Sequence, residues 1–226
     1  MRACRAIILA TTIAGLAFPS TQLDAFHSDE AQPGMLGQCE DRTQNGGGAA
    51  GCYWDASINL GPMPGQVYWH IDRFPDAASA AAERTLQGSV TIALGNQVFL
   101  QTINDNPGWR PAAGERVATI GPLNVPTGPD LIARFMEGTA THAMATLPHS
   151  HSGPEAVYQL MGSVCVETPE LNYAAGPGES LVVPGGTFMQ LRARGGAAAR
   201  SLLLVVHPAD RAWIDKEPAW TPRGSC

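Results

Sequence analysis

The sequence predicts an all-β fold, a barrel or sandwich with one helix, and three observations carry that expectation. Short β-branched and aromatic runs recur along the chain, turn-forming residues separate them, and a single stretch has helical composition. Val67, Tyr68, Trp69, His70 and Ile71 make residues 66–74 a strand. Asp76 then offers an N-cap, and Ala77, Ala78, Ala80, Ala81 and Ala82 favour a helix over 76–86 that Gly88 ends. Apolar and polar residues alternate over 89–103 around Gly95-Asn96, the pattern of a hairpin. Asn106-Pro107-Gly108 and Asn124-Val125-Pro126 punctuate further strands near 116–120 and 131–137, and no second helical period follows. Residues 26–65 hold Asn45-Gly46-Gly47-Gly48 and few large apolar side chains, so a poorly ordered, disulfide-pinned leader outside the core is expected there.

Arg2 and Arg5 precede an uncharged run over residues 6–18 and then small and polar residues, the layout of a secretory signal peptide, here placed at 1–25. That run is too short to cross a bilayer, and no later stretch reaches about 18 apolar residues, so the mature chain is expected secreted or periplasmic and not inserted in a membrane. Without residues 1–25 the chain keeps 12 basic against 19 acidic residues, about −7. Nucleic acid and anionic membranes are therefore poor partners. Cys4 leaves with the signal, and Cys39, Cys52, Cys165 and Cys226 form an even set in a compartment that permits disulfides. Three pairings are open. We favour Cys39 with Cys52, closing a short Gly-rich loop, and Cys165 with Cys226, tying down the C-terminal tail; four free buried thiols are the alternative. No Gly-x-Ser-x-Gly elbow, Walker loop, Rossmann fingerprint or Cys-x-x-Cys occurs, which removes the usual parts for serine hydrolysis, nucleotide hydrolysis, dinucleotide redox chemistry and zinc ribbons.

The informative segment is Pro148-His149-Ser150-His151-Ser152-Gly153-Pro154-Glu155. Histidines at i and i+2 of a strand share a face, so one cavity can receive both imidazoles. Gly153-Pro154 turns the chain, and Glu155 opens the next apolar run, where it can return a carboxylate to the same cavity. Two neutral nitrogens and one anionic oxygen suit a divalent first-row metal.

These residues resemble the cupin superfamily, whose first motif reads Gly-x5-His-x-His-x3-4-Glu-x6-Gly. His149, His151, Glu155 and Gly162 match it, while Ala143 stands at the leading glycine. Gly178, Pro184 and Gly186 match the second motif, Gly-x5-Pro-x-Gly-x2-His-x3-Asn, but Met189 occupies its histidine position and Ala193 its asparagine. The resemblance covers residues 130–207, about a third of the chain. It implies a cupin double-stranded β-helix barrel (jelly-roll) over 130–207, preceded by a β-rich extension over 66–129 with the one helix, and followed by a tail over 208–226. The chain is also similar to a group of uncharacterised exported cupin domain-containing proteins with a Gly-Pro-Glu-Ala segment, a Pro-Gly-Gly-x-x-Met segment and a terminal cysteine. Cupin relatives are often dimers, which implies a homodimer as one assembly.

Met189 leaves three readings: an open triad of His149, His151 and Glu155; a thioether fourth ligand, which would favour copper; or a core filler in a barrel without functional metal. The triad would take iron or manganese first, with copper, nickel or zinc as alternatives. Gln159 shares parity with Glu155 and is expected to line the cavity, with His142 on the preceding strand as a further candidate. His70 and His207 are read as structural, and Trp54, Trp109, Trp213 and Trp220 as core or cover. No catalytic acid or base is singled out. Three functions follow: a metal-dependent enzyme, an oxygenase or an isomerase or lyase acting on a small polar molecule; a small-ligand binding or sensing module without metal; or a structural envelope protein.

Overall fold

A computed structural model describes residues 35–36, 39–41, 50–84, 87–141, 144–216 and 219–226. The expected signal peptide and His142 lie outside these residues. In chain order the strands are β1 (Met35–Leu36), β2 (Glu40–Asp41), β3 (Gly51–Gly61) and β4 (Gln66–Phe74), then helix α1 (Ala77–Ala82). Next come β5 (Ser89–Leu94), β6 (Gln97–Asn104), β7 (Glu115–Asn124), β8 (Leu131–Ala140), β9 (Ala145–Thr146), β10 (Ser150–His151) and β11 (Glu155–Met161). The chain closes with β12 (Ser163–Glu167), β13 (Asn172–Ala175), β14 (Ser180–Val183), β15 (Gln190–Arg194), β16 (Ala199–Pro208) and β17 (Ile214–Asp215).

A six-stranded sheet ordered β14-β11-β16-β8-β3-β2 faces a five-stranded sheet ordered β1-β9-β15-β12-β13, and β10 pairs with β17. Non-consecutive neighbours such as β11 with β16 and β12 with β15 give the crossed connections of a jelly-roll. Val157, Leu203 and Val205 of the first sheet pack between the two against Val164, Val166 and Leu191 of the second. The barrel is thus filled on one side by the alternate residues of β11 and β16.

The other parity is buried as well. Ala156, Tyr158, Leu202, Leu204 and Val206 face a second core formed with a four-stranded sheet ordered β5-β6-β4-β7, through Val67, Trp69, Ile71, Phe99 and Ile120. The six-stranded sheet is therefore covered on both faces, which is why β16 reads as an unbroken apolar run, Leu202 to Val206, instead of alternating. Helix α1 lies on the far side of the small sheet, where Ala80 joins Phe74, Val98 and Leu100. Asp76 caps it, accepting from the Ser79 amide at 2.8 Å. The helix is shorter than the 76–86 expected: Glu83 is its C-cap, and the Glu83 carboxylate accepts from the Ala112 amide at 2.7 Å, turning the chain end towards the loop after β6.

Two expectations are corrected. The leader over 26–65 is not loose throughout, because β3 pairs with β8 over most of its eleven residues and buries Tyr53. Gly51 and Gly61 bound the strand and polar residues interrupt its apolar ones after Trp54, so pairing with the neighbouring strand is what turns them into a sheet face. The tail over 208–226 is not wholly apart from the barrel, since its two-residue β17 pairs with β10, Ser150 opposite Asp215 and His151 opposite Ile214. Disulfides join Cys39 to Cys52 and Cys165 to Cys226. The buried Glu167 carboxylate also accepts from the Arg223 and Ser225 amides, so the chain end is held twice. Among the described residues no helix is long and apolar enough to cross a membrane.

Candidate metal centre

Local backbone chemistry brings three segments together. His149 and Met189 exchange both backbone hydrogen bonds, at 3.0 and 2.8 Å, so their side chains stand side by side on one face. Two residues on, His151 returns to that face, and its carbonyl accepts from the Gly186 amide at 2.7 Å. The turn before Glu155 needs a glycine for space, because a Cβ on Gly153 would lie 1.8 Å from the Val206 carbonyl oxygen. Glu155 then enters β11 opposite both Val183 and Val205.

His149, His151 and Glu155 are all buried, and their ligand atoms lie within 4.8 Å of one another. The two imidazoles are 4.9 Å apart and nearly perpendicular, at 77°. His149 Nδ1 donates to the Leu147 carbonyl at 2.7 Å, and His151 Nδ1 donates to the Trp213 carbonyl at 2.9 Å. A carbonyl only accepts, so each ring carries a proton on Nδ1 and turns Nε2 towards the cavity. Burial first, and the neighbouring His151 second, push the His149 pKa down and keep it a neutral donor. Burial acts to raise the Glu155 pKa, but His151 and His149 outweigh it and hold the carboxyl below the usual range.

Glu155 Oε2 lies 3.2 Å from His151 Nε2, yet no hydrogen bond reaches it. With a proton on His151 Nε2 the two groups form a buried ion pair, which is what holds the Glu155 carboxyl down; without that proton two lone pairs face each other and repel unless a cation lies between them. The donor set, two imidazole nitrogens and a carboxylate, fits a divalent first-row ion. Met189 is fully buried and lines the same cavity, so the position of the expected third histidine is filled by a thioether beside His149.

Sequence reasoning missed the groups that hold His151. The Trp213 ring stacks on His151 at 5.2 Å and 21°, and the Arg134 guanidinium lies over both Trp213 and Trp54, 5.6 and 5.1 Å from their centroids. Arg134 Nε donates to His207 Nε2 at 2.9 Å, while His207 Nδ1 donates to the Pro208 carbonyl, so His207 braces Arg134. Nothing in the spacing of Trp213, sixty-two residues from His151, marks it. Parity placed Gln159 correctly on β11, but it does not line the cavity. Its amide donates to the Met161 carbonyl and its oxygen accepts from Ser201 at 2.6 Å, so Ser201 stands at the wall in its place.

The cavity measures about 90 Å³ and is walled by Met136, Val164, Leu191, Leu203 and the Cys39–Cys52 disulfide, with Lys216 of the C-terminal segment beside it. The fold is thus a jelly-roll barrel with a two-histidine, one-glutamate cluster facing its cavity, as the resemblance to the cupin motifs implied.

No family profile matches the sequence, and no curated protein matches it. Solved structures do. One is a cupin-2 domain containing protein from Shewanella frigidimarina, at 16% identity and TM-score 0.28, over 34% of this chain and 70% of that one. The DMSP lyase DddQ from Ruegeria pomeroyi is similar at 15% identity and TM-score 0.33, over 37% of this chain and 42% of that one. The polyketide cyclase RemF from Streptomyces resistomycificus is similar at 23% identity and TM-score 0.29, over 35% of this chain and 62% of that one.

Proposed function

We propose that the protein is an exported, metal-dependent enzyme of the cupin type, an oxygenase or an isomerase or lyase, acting on a small molecule in the barrel cavity. One observation carries this reading: His149, His151 and Glu155 are all buried with ligand atoms within 4.8 Å of one another, and both imidazoles are turned by backbone carbonyls so that Nε2 faces the cavity. An iron or manganese ion, or with less preference copper, nickel or zinc, would supply Lewis-acid polarisation of a substrate oxygen or redox chemistry with dioxygen. The chain itself does the rest. His149 and His151 are oriented by carbonyls, Glu155 offsets positive charge, and Met136, Val164 and Leu203 keep water away from the polar cluster. Two disulfides suit an oxidising compartment, in line with export.

Metal content by plasma mass spectrometry, on untagged protein purified from the periplasm, tests the reading. Near-stoichiometric iron, manganese or copper in the parent, lost in His149→Ala/His151→Ala, is the expected result. No metal in the parent after reconstitution with each ion sinks it. A second reading, a ligand-binding module without metal, draws on Met189, a weak donor where a third nitrogen would complete the set. It predicts ligand binding by the metal-free protein that removal of the imidazoles weakens.

A further inference from the structure

The polar groups of the cavity are unevenly shared out. Thr146 Oγ1 accepts from the Leu191 amide at 3.0 Å and the Ser201 hydroxyl donates to Gln159 at 2.6 Å, so each of these wall hydroxyls already has a protein partner and only part of its capacity left for a ligand. Outside the His149, His151 and Glu155 cluster the wall is Met136, Val164, Leu191 and Leu203, hollowed by Gly138, Ala140 and Ala199. The one anionic oxygen in need of a partner, Glu155 Oε2, belongs to a residue about nineteen-twentieths buried, and Lys216 is the cationic side chain of the lining.

A molecule with hydroxyls on every side would lose its hydration in this largely apolar cavity and find few polar groups outside the cluster to replace it. Each unmatched hydroxyl weakens binding roughly tenfold. An apolar body loses nothing there and gains by leaving water. We infer that the cavity takes a small molecule with an apolar body, a branched aliphatic chain or a single aromatic ring, and one oxygen-bearing head, a carboxylate where the His149, His151 and Glu155 cluster holds its cation. The inference rests on the cavity of the proposed function and narrows the small polar molecule expected from the sequence to one whose polarity is confined to its head. Gly138, Ala140 and Ala199 set the size of the body. A Cβ on Gly138 would come 3.2 Å from Leu203 Cδ1, the movable end of a side chain, so bulk added there moves into the space a ligand would use and not against backbone.

The test is equilibrium binding of benzoate and 3-methylbutanoate against glucose and myo-inositol, followed by tryptophan fluorescence and by thermal shift, on the parent with and without added metal. The same panel is run on Gly138→Val and Ala199→Leu, with metal content and melting temperature measured on every sample. The expected result is binding of the two carboxylates at least tenfold tighter than of the polyols. It falls at least tenfold in a filled variant whose metal content and melting temperature match the parent; Ala140→Val serves where another variant does not fold. Equal or tighter binding of the polyols overturns the inference, as does unchanged carboxylate binding in a filled variant, or no binding by any probe. A parent that takes up no metal sinks the enzyme reading instead; the panel is then run with benzyl alcohol and 3-methylbutan-1-ol, whose hydroxyls can donate to Glu155, and equal or tighter binding of the polyols still overturns the inference.

Discussion

His70 is fully buried on β4, and burial first, with the neighbouring Arg116 second, pushes its pKa from 6.5 to about 4. The geometry explains the direction. Arg116 Nη1 approaches His70 Nδ1 at 2.9 Å as a donor, so Nδ1 accepts and Nε2 donates to the Asn106 carbonyl at 3.1 Å. A second proton, on Nδ1, would face the guanidinium that Asp72 holds at 2.8 Å. Below pH 6.5 the unfolded chain takes up a proton that the folded chain refuses until about pH 4, so stability rises with pH across this window and falls on acidification through it. The full separation corresponds to an upper figure of about 3 kcal/mol, of which roughly 2 to 3 would be lost between pH 7 and pH 4.5. Urea unfolding with intact disulfides, followed by tryptophan fluorescence at both pH values, measures it for the parent and for His70→Gln. The parent should lose about 2 kcal/mol more than the variant over that interval. Equal losses would refute the assignment of acid sensitivity to His70.

Other outcomes follow from the metal centre and its supports. Met189→His places a nitrogen donor beside His149 and should tighten iron or manganese binding by roughly tenfold or more in chelator competition; unchanged affinity would mean that position 189 does not reach the ion. Trp213→Ala removes the ring stacked on His151 while leaving the carbonyl in the chain, and metal affinity should fall roughly ten- to a hundredfold with the fold intact by circular dichroism. A wild-type affinity would make Trp213 a cover alone. Cys165→Ala/Cys226→Ala opens a loop of 61 residues and should lower unfolding stability by up to about 4 kcal/mol, read from the denaturant midpoint. A midpoint equal to the parent's would place the tail's attachment on Glu167 and β17 instead.

Much of the barrel and the core of the site were legible in the chain because they depend on local periodicity. Histidines two apart on a strand share a face wherever that strand goes, and a carboxylate just past a Gly-Pro turn returns to the same place, so His149, His151 and Glu155 could be grouped before any fold was known. The alternation around Gly95-Asn96 similarly marked the β5–β6 hairpin. Burial on both faces, in contrast, hid the role of β16, whose residues read only as apolar until the small sheet and the barrel interior divided them by parity. The strand hidden in the expected leader has the same cause, since β3 gains its meaning from β8, about eighty residues away.

By itself, then, the sequence determined the all-β class and the three candidate ligands, each a matter of spacing within a few residues, while the barrel was implied by the resemblance of its motifs to a known family. Tertiary structure alone decided that Gln159 spends its amide on Ser201 and Met161 beneath the wall, and that a C-terminal tryptophan and Arg134 hold His151. It also decided that the space beside the cluster is apolar. Those outcomes depend on which distant strands meet, and a side chain's partners across a sheet are set by packing and register, which no local pattern encodes.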